Sequence, residues 1–137
     1  MTNANAAKGA RFEKTVLDFL RDLFGRHRVI RPHQEGFVDV GDLHLEPFAL
    51  QLKDETRHTF SSYVDDAEKQ ALAAEMPFGA AIVKRRKLGT GRAYVVMSLN
   101  TFARLVERLH RAEALLARHA PEIYHEEHEP ENKHPKE

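Results

Sequence analysis

The chain has 137 residues, is 42% hydrophobic and balances 21 basic against 21 acidic side chains. That length suits one domain burying roughly two-thirds of its unfolded surface, and no run approaches the ~20 apolar residues of a membrane span. Cysteine is absent, which excludes disulfides and thiolate metal sites. The N-terminal MTNANAAKGA has no apolar core of a secretory signal, so a cytoplasmic location and no membrane partner are expected.

Residues 1–7 are small and polar and are expected to be a flexible N-terminus. Across 9–24, Phe12, Val16, Phe19, Leu20 and Leu23 recur at helical spacing, and Gly25 follows as a natural stop. Residues 28–32 form a short strand candidate, and 33–37, with Gly36, a turn. Residues 38–46 alternate, Pro47 intervenes, and 48–53 alternate again, the pattern of a β-hairpin. Residues 59–62 offer N-caps for a helix over 63–75. Pro77 and Gly79 break the chain before strands at 80–84 and 93–97, joined by the basic stretch KRRKLGTGR. Asn100 is read as the cap of a last long helix that buries Phe102, Leu105, Val106 and Leu109. Residues 121–137 hold six Glu and two Lys, a net of −4, and leave +4 on residues 1–120. This acidic tail is expected to be disordered, and 8–120 to be the domain. The order α-β-β-β-α-β-β-α implies an α/β or α+β class, a mixed sheet with helices.

The hairpin carries the chemistry. Strand side chains alternate faces, so Leu43 and Leu45 oppose Asp42, His44 and Glu46, and Leu50 and Leu52 oppose Gln51 and Lys53. Placing the leucines together in the core brings Asp42, Gln51 and Lys53 to the other face. With Glu46 and Pro47 central in a tight turn, Asp42 lies across from Gln51; with Pro47 and Phe48 central, it lies across from Lys53. A carboxylate and an amide oxygen suit a hard divalent cation such as Mg²⁺, and a neighbouring lysine stabilises the charge that develops in phosphodiester hydrolysis. D-x₈-Q-x-K alone also describes many solvated hairpins.

The flanking residues add to it. KGARFEKTVLDFL, RPHQEGFVDVGDLHL, FALQLKDE and VDDAEKQALAA together resemble the PD-(D/E)XK nuclease superfamily, and are most similar to Holliday junction resolvase-like members encoded by phages and archaea. For a phage-encoded member the working location is the host cytoplasm. The resemblance spans residues 8–109 and implies a restriction-endonuclease-like αβββαβ core, a mixed central sheet flanked by helices, with an extra C-terminal helix. It implies cleavage of DNA phosphodiesters with Mg²⁺ or Mn²⁺, a branched substrate, specifically a four-way junction, and a homodimer. It implies that Asp42, Gln51 and Glu13 reach the metal, with Asp39 as a second choice beside Asp42 if Gly41 bulges the strand. Lys53 matches the motif lysine. Gln51 stands where the family usually has Glu, which removes a unit of ligand charge. Gln70 falls on the second helix, where related nucleases often place a polar residue near the site. The same fold acting on other DNA structures, and a DNA-binding module without catalysis, remain as alternatives.

Lys84, Arg85, Arg86, Lys87 and Arg92 cluster at one strand connection and are candidates for contact with DNA phosphates, with Arg31, His33 and Arg57 as weaker ones. Arg104, Arg108 and Arg111 line one side of the last helix, most simply as a solvated face. His125 and His128 are read as incidental tail histidines.

Overall fold

A computed structural model describes residues 4–33 and 36–128. The chain divides into two compact units, Met1–Thr101 and Phe102–Glu137.

The first unit is built on a five-stranded sheet. Helix α1 (Ala4–Phe24) precedes three strands, β1 (Val29–Ile30), β2 (Leu43–Leu45) and β3 (Phe48–Lys53). Helix α2 (Phe60–Ala73) crosses to β4 (Phe78–Val83), and a 3₁₀ turn (Thr90–Arg92) leads to β5 (Tyr94–Val96). The strands lie in chain order, β1-β2-β3-β4-β5, antiparallel except for the parallel pair β3–β4 that α2 connects. This is an α/β fold, a mixed sheet flanked by helices.

Alternation decides which helix covers which face. Leu43, Leu50, Ala80 and Ile82 turn to one face and pack with Phe12, Val16 and Leu17 of α1. Ala81 and Val83 turn to the other, where they meet Tyr63 of α2 and Val96. Gly79 lets α2 approach closely, because a Cβ there would stand 2.2 Å from the Ala67 carbonyl oxygen. Helix α1 ends as its sequence suggests. Gly25, at φ +90°, donates its N–H to the Arg21 carbonyl at 2.8 Å.

Several boundaries differ from the sequence reading. Strand 28–32 contracts to two residues, and strand 38–46 to Leu43–Leu45. Gly41 adopts φ +95° and its N–H donates to Asp39 Oδ1 at 3.0 Å; this local turn displaces the extended backbone. The hairpin pairs Leu43 with Leu50, His44 with Ala49 and Leu45 with Phe48, so Glu46 and Pro47 form the turn, joined by a cis peptide bond. Helix α2 starts at Phe60, earlier than the expected 63–75, and its N-cap residue Thr59 makes no side-chain capping hydrogen bond. Of the N-terminal segment expected to be flexible, residues 4–7 are helical, and 1–3 lie outside the described residues.

Helix α3 (Leu99–His119) begins at the end of the first unit and continues through the second, followed by α4 (Pro121–His128). Its cap is Ser98, not Asn100: Ser98 Oγ accepts the Thr101 N–H at 3.2 Å and donates to Thr101 Oγ1 at 3.1 Å. Phe102 and Leu109 are exposed rather than buried, and Leu105 and Val106 are half-buried. The part of the acidic tail at 121–128, read as disordered, is helical; 129–137 lie outside the described residues. Among the described residues no helix is long and apolar enough to cross a membrane.

Candidate active site

The hairpin register sets Asp42 level with Gln51. Two hydrogen bonds bracket that pairing: the Asp42 N–H donates to the Leu50 carbonyl at 2.9 Å, and the Leu52 N–H donates to Asp42 Oδ2 at 2.8 Å. Gln51 points to the α2 face and is only 8% exposed, yet its Oε1 accepts no hydrogen bond. A buried acceptor without a donor loses its hydration for nothing in return.

The turn at Gly41 brings Asp39 to the same place. Its Oδ2 accepts the Gln70 amide at 2.8 Å, and its charge adds to what Asp42 experiences. Gln70 is 4% exposed, and its Oε1 also accepts nothing. The Asp42 carboxyl is held above the ordinary carboxylate range, first by burial and then by the Asp39 charge; the Leu52 N–H and the Lys53 ammonium pull the other way. A Cβ on Gly41 would approach the Leu50 carbonyl oxygen at 3.2 Å, so glycine is required here for both its φ and its space.

Lys53 shares the α2 face. Its Nζ lies 5.4 Å from the Tyr63 ring centroid and 4.0 Å from Glu55 Oε1. The Tyr63 hydroxyl donates to the Glu55 carboxylate, with the Arg57 carbonyl 3.2 Å away. Burial, then the Glu55 contact, pushes the Tyr63 hydroxyl above its ordinary pKa, so it stays a donor at neutral pH.

These groups make an oxygen-donor set: the carboxylates of Asp42 and Asp39 and the orphaned Oε1 of Gln51. That set fits a hard divalent cation such as Mg²⁺ or Mn²⁺, which would partner the Gln51 oxygen and relieve the burial cost on Asp42. It is a set of two carboxylates and an amide. Among the described residues, no three His, Asp or Glu side chains gather to hold a metal, so Glu13 does not complete it. Glu13 instead receives Arg31 Nε at 2.8 Å, and both line a surface depression with Arg21 and Arg26.

The basic stretch is more structured than a solvated loop tip. Lys84 and Arg86 turn toward Asp54, at 3.6 and 3.7 Å. Arg85 stacks over Tyr94, 4.7 Å from its ring centroid. Lys87 and Arg92 are exposed, Lys87 at φ +65° and Arg92 in the 3₁₀ turn. Arg111 pairs with Glu107 along α3 at 2.6 Å. His125 and His128 fall within α4.

Sequence reasoning missed four residues of this region: Tyr63 and Glu55, which hold Lys53, and Asp54 and Lys8, which pair at 3.5 Å. Alternation did carry one usable signal. Asp54 follows Lys53, so it leaves the strand toward the α1 face, where a lone carboxylate needs a cation.

Comparison with protein-family models, with curated proteins and with solved structures finds no match to the chain.

Proposed function

We propose that this chain is a metal-dependent DNA endonuclease of the PD-(D/E)XK kind, with Asp42, Gln51 and Lys53 at its centre and a four-way junction as preferred substrate. The observation that carries the reading is the buried, donorless Oε1 of Gln51, level with a carboxylate held off its ordinary pKa. Such a pair is unfavourable for the empty fold and favourable for a cation. The order α1-β1-β2-β3-α2-β4 supports a restriction-endonuclease-like core. Two symmetric nicks in a junction need two sites, hence a homodimer.

In this reading Asp42, Asp39 and Gln51 Oε1 hold Mg²⁺ or Mn²⁺. The chemistry a divalent cation supplies when bound is Lewis acidity toward the scissile phosphate and the attacking water. Lys53 donates to a nonbridging phosphate oxygen and stabilises its growing charge. Tyr63 and Glu55 keep the Lys53 ammonium at the rim of the site. Gln70, bonded to Asp39, fixes that carboxylate's orientation.

A second reading is a DNA-binding module of the same fold without catalysis. Gln51 in place of a carboxylate and the Glu13–Arg31 pair favour it. Titrating Mg²⁺ and Mn²⁺ against synthetic junction, flap, single-stranded and duplex DNA separates the readings. The nuclease reading expects metal-dependent cleavage with the junction preferred. Preference for a flap or single strand changes the substrate and keeps the nuclease. Binding without cleavage over the whole metal range leaves the module.

A further inference from the structure

Asp54 stands out among the charged groups outside the proposed metal site. Its side chain is 2% exposed, and Lys8, Lys84 and Arg86 approach it at 3.5, 3.6 and 3.7 Å. Neither carboxylate oxygen accepts a hydrogen bond. Three cations therefore share one anion, each just beyond hydrogen-bonding reach. Lysine carries three donors and arginine five, so donors far outnumber the acceptors offered, and two positive charges remain uncompensated.

The cations are not sealed in. The side chains of Lys8, Lys84 and Arg86 are 25%, 41% and 48% exposed. Arg86 is fixed further by donating to Thr56 Oγ1 at 3.0 Å. Three distant segments meet here: the start of α1, the residue after β3 and the residues after β4. They meet at the carboxyl end of the parallel pair, where the Lys84 N–H donates to the Lys53 carbonyl at 2.9 Å, the end at which open α/β sheets take ligands. Asp54 and Lys53 are successive residues serving opposite faces of one strand end.

We infer that Lys8, Lys84 and Arg86, gathered by the buried Asp54, form a clamp for a single DNA backbone phosphate beside the one held at Lys53. The choice of DNA rests on the nuclease reading. Asp54 is a positioning residue: it draws the three cations together, and the incoming phosphate supplies the second anion. The arrangement differs from scattered surface lysines because its cations act on one phosphate rather than one each.

The test is a salt titration of binding to a labelled synthetic DNA duplex in chelator, where cleavage plays no part. The variants are Lys8→Gln, Lys84→Gln and the double, with Lys69→Gln on α2 as a control for net charge. Glutamine removes the charge and keeps a polar side chain, and Arg86 stays in place. Each single variant is expected to bind several-fold more weakly than Lys69→Gln. The double is expected to lose less than the product of the two, with the slope of log affinity against log salt reduced by about 0.9, the value for one phosphate. Singles and double that bind like Lys69→Gln overturn the clamp. A fully multiplicative double with a slope reduced by about 1.8 overturns it as well, since that counts two separate phosphates, and so does a wild-type chain that binds no DNA. If the double does not fold, the singles decide against Lys69→Gln. A chain that cleaves nothing yet gives this cycle loses the nuclease reading and keeps the clamp. One that cleaves junctions while Lys8→Gln matches the control loses only the clamp.

Discussion

Asp42 Oδ2 accepts the backbone N–H of Leu52 at 2.8 Å, so a side chain extends the β2–β3 ladder by one hydrogen bond ahead of the first residue of β2. The same carboxylate is thus a structural acceptor and the candidate metal ligand. The two roles separate by substitution. Asp42→Asn keeps an oxygen for Leu52 and removes the charge; Asp42→Ala removes both. Asn should be more stable than Ala by about 1 kcal/mol, the net value of a hydrogen bond, as read from urea unfolding without metal. Equal stabilities would mean that the Leu52 contact contributes nothing.

The pH dependence follows from the direction in which Asp42 is displaced. Its folded pKa is raised by burial, so the folded state binds more protons than the unfolded state between the ordinary Asp pKa and the raised one. Stability then falls as pH rises through that window and levels off above it. Relative to Asp42→Asn, the wild type should lose unfolding free energy with rising pH there, while its Mn²⁺ affinity climbs over the same window, because the metal takes the carboxylate form. Parallel pH profiles for the two proteins would remove the burial argument.

Gly41 joins the two carboxylates. At φ +95°, with the Leu50 carbonyl oxygen 3.2 Å from any Cβ, alanine must strain or shift the turn. Gly41→Ala should cost about 1–3 kcal/mol and weaken Mn²⁺ binding beyond what that loss explains, since Asp39 and Asp42 no longer converge. Calorimetry on the folded variant checks the second part; unaltered Mn²⁺ affinity would leave Asp39 outside the site.

Much of this was legible in the sequence. Strand 48–53 came out unchanged because Leu50 and Leu52 alternate with Gln51 and Lys53 and nothing interrupts them. The turn at Glu46 and Pro47 was one of two registers, since alternation fixes faces and leaves the pairing partner open. Asp39 was ambiguous for a concrete reason: a strand of 38–46 would put it opposite Asp42, and only the positive φ of Gly41 reverses that. Lys8 and Asp54 were not legible as a pair, because the start of α1 meets the end of β3 only once both pack on the sheet. The exposure of Phe102 and Leu109 on α3 is not legible in the sequence, because periodicity marks a face without saying whether anything covers it.

Gln51→Glu reintroduces the carboxylate that the resemblance leads one to expect. A third negative charge near Asp42 and Asp39 should lower the melting temperature without metal and enlarge the rise that Mn²⁺ produces, since tighter binding to the folded state raises stability by mass action. Melting with and without Mn²⁺ reads both effects. An unchanged metal-induced shift would take Gln51 out of the ligand set.

The central claim is tested most directly by single-turnover cleavage of a synthetic four-way junction in Mn²⁺ by the wild type, Asp42→Asn and Lys53→Ala, with junction binding followed alongside. The account predicts cleavage by the wild type and a loss of at least ~10²-fold in each variant, with binding retained in both. Unchanged turnover in Asp42→Asn would contradict it.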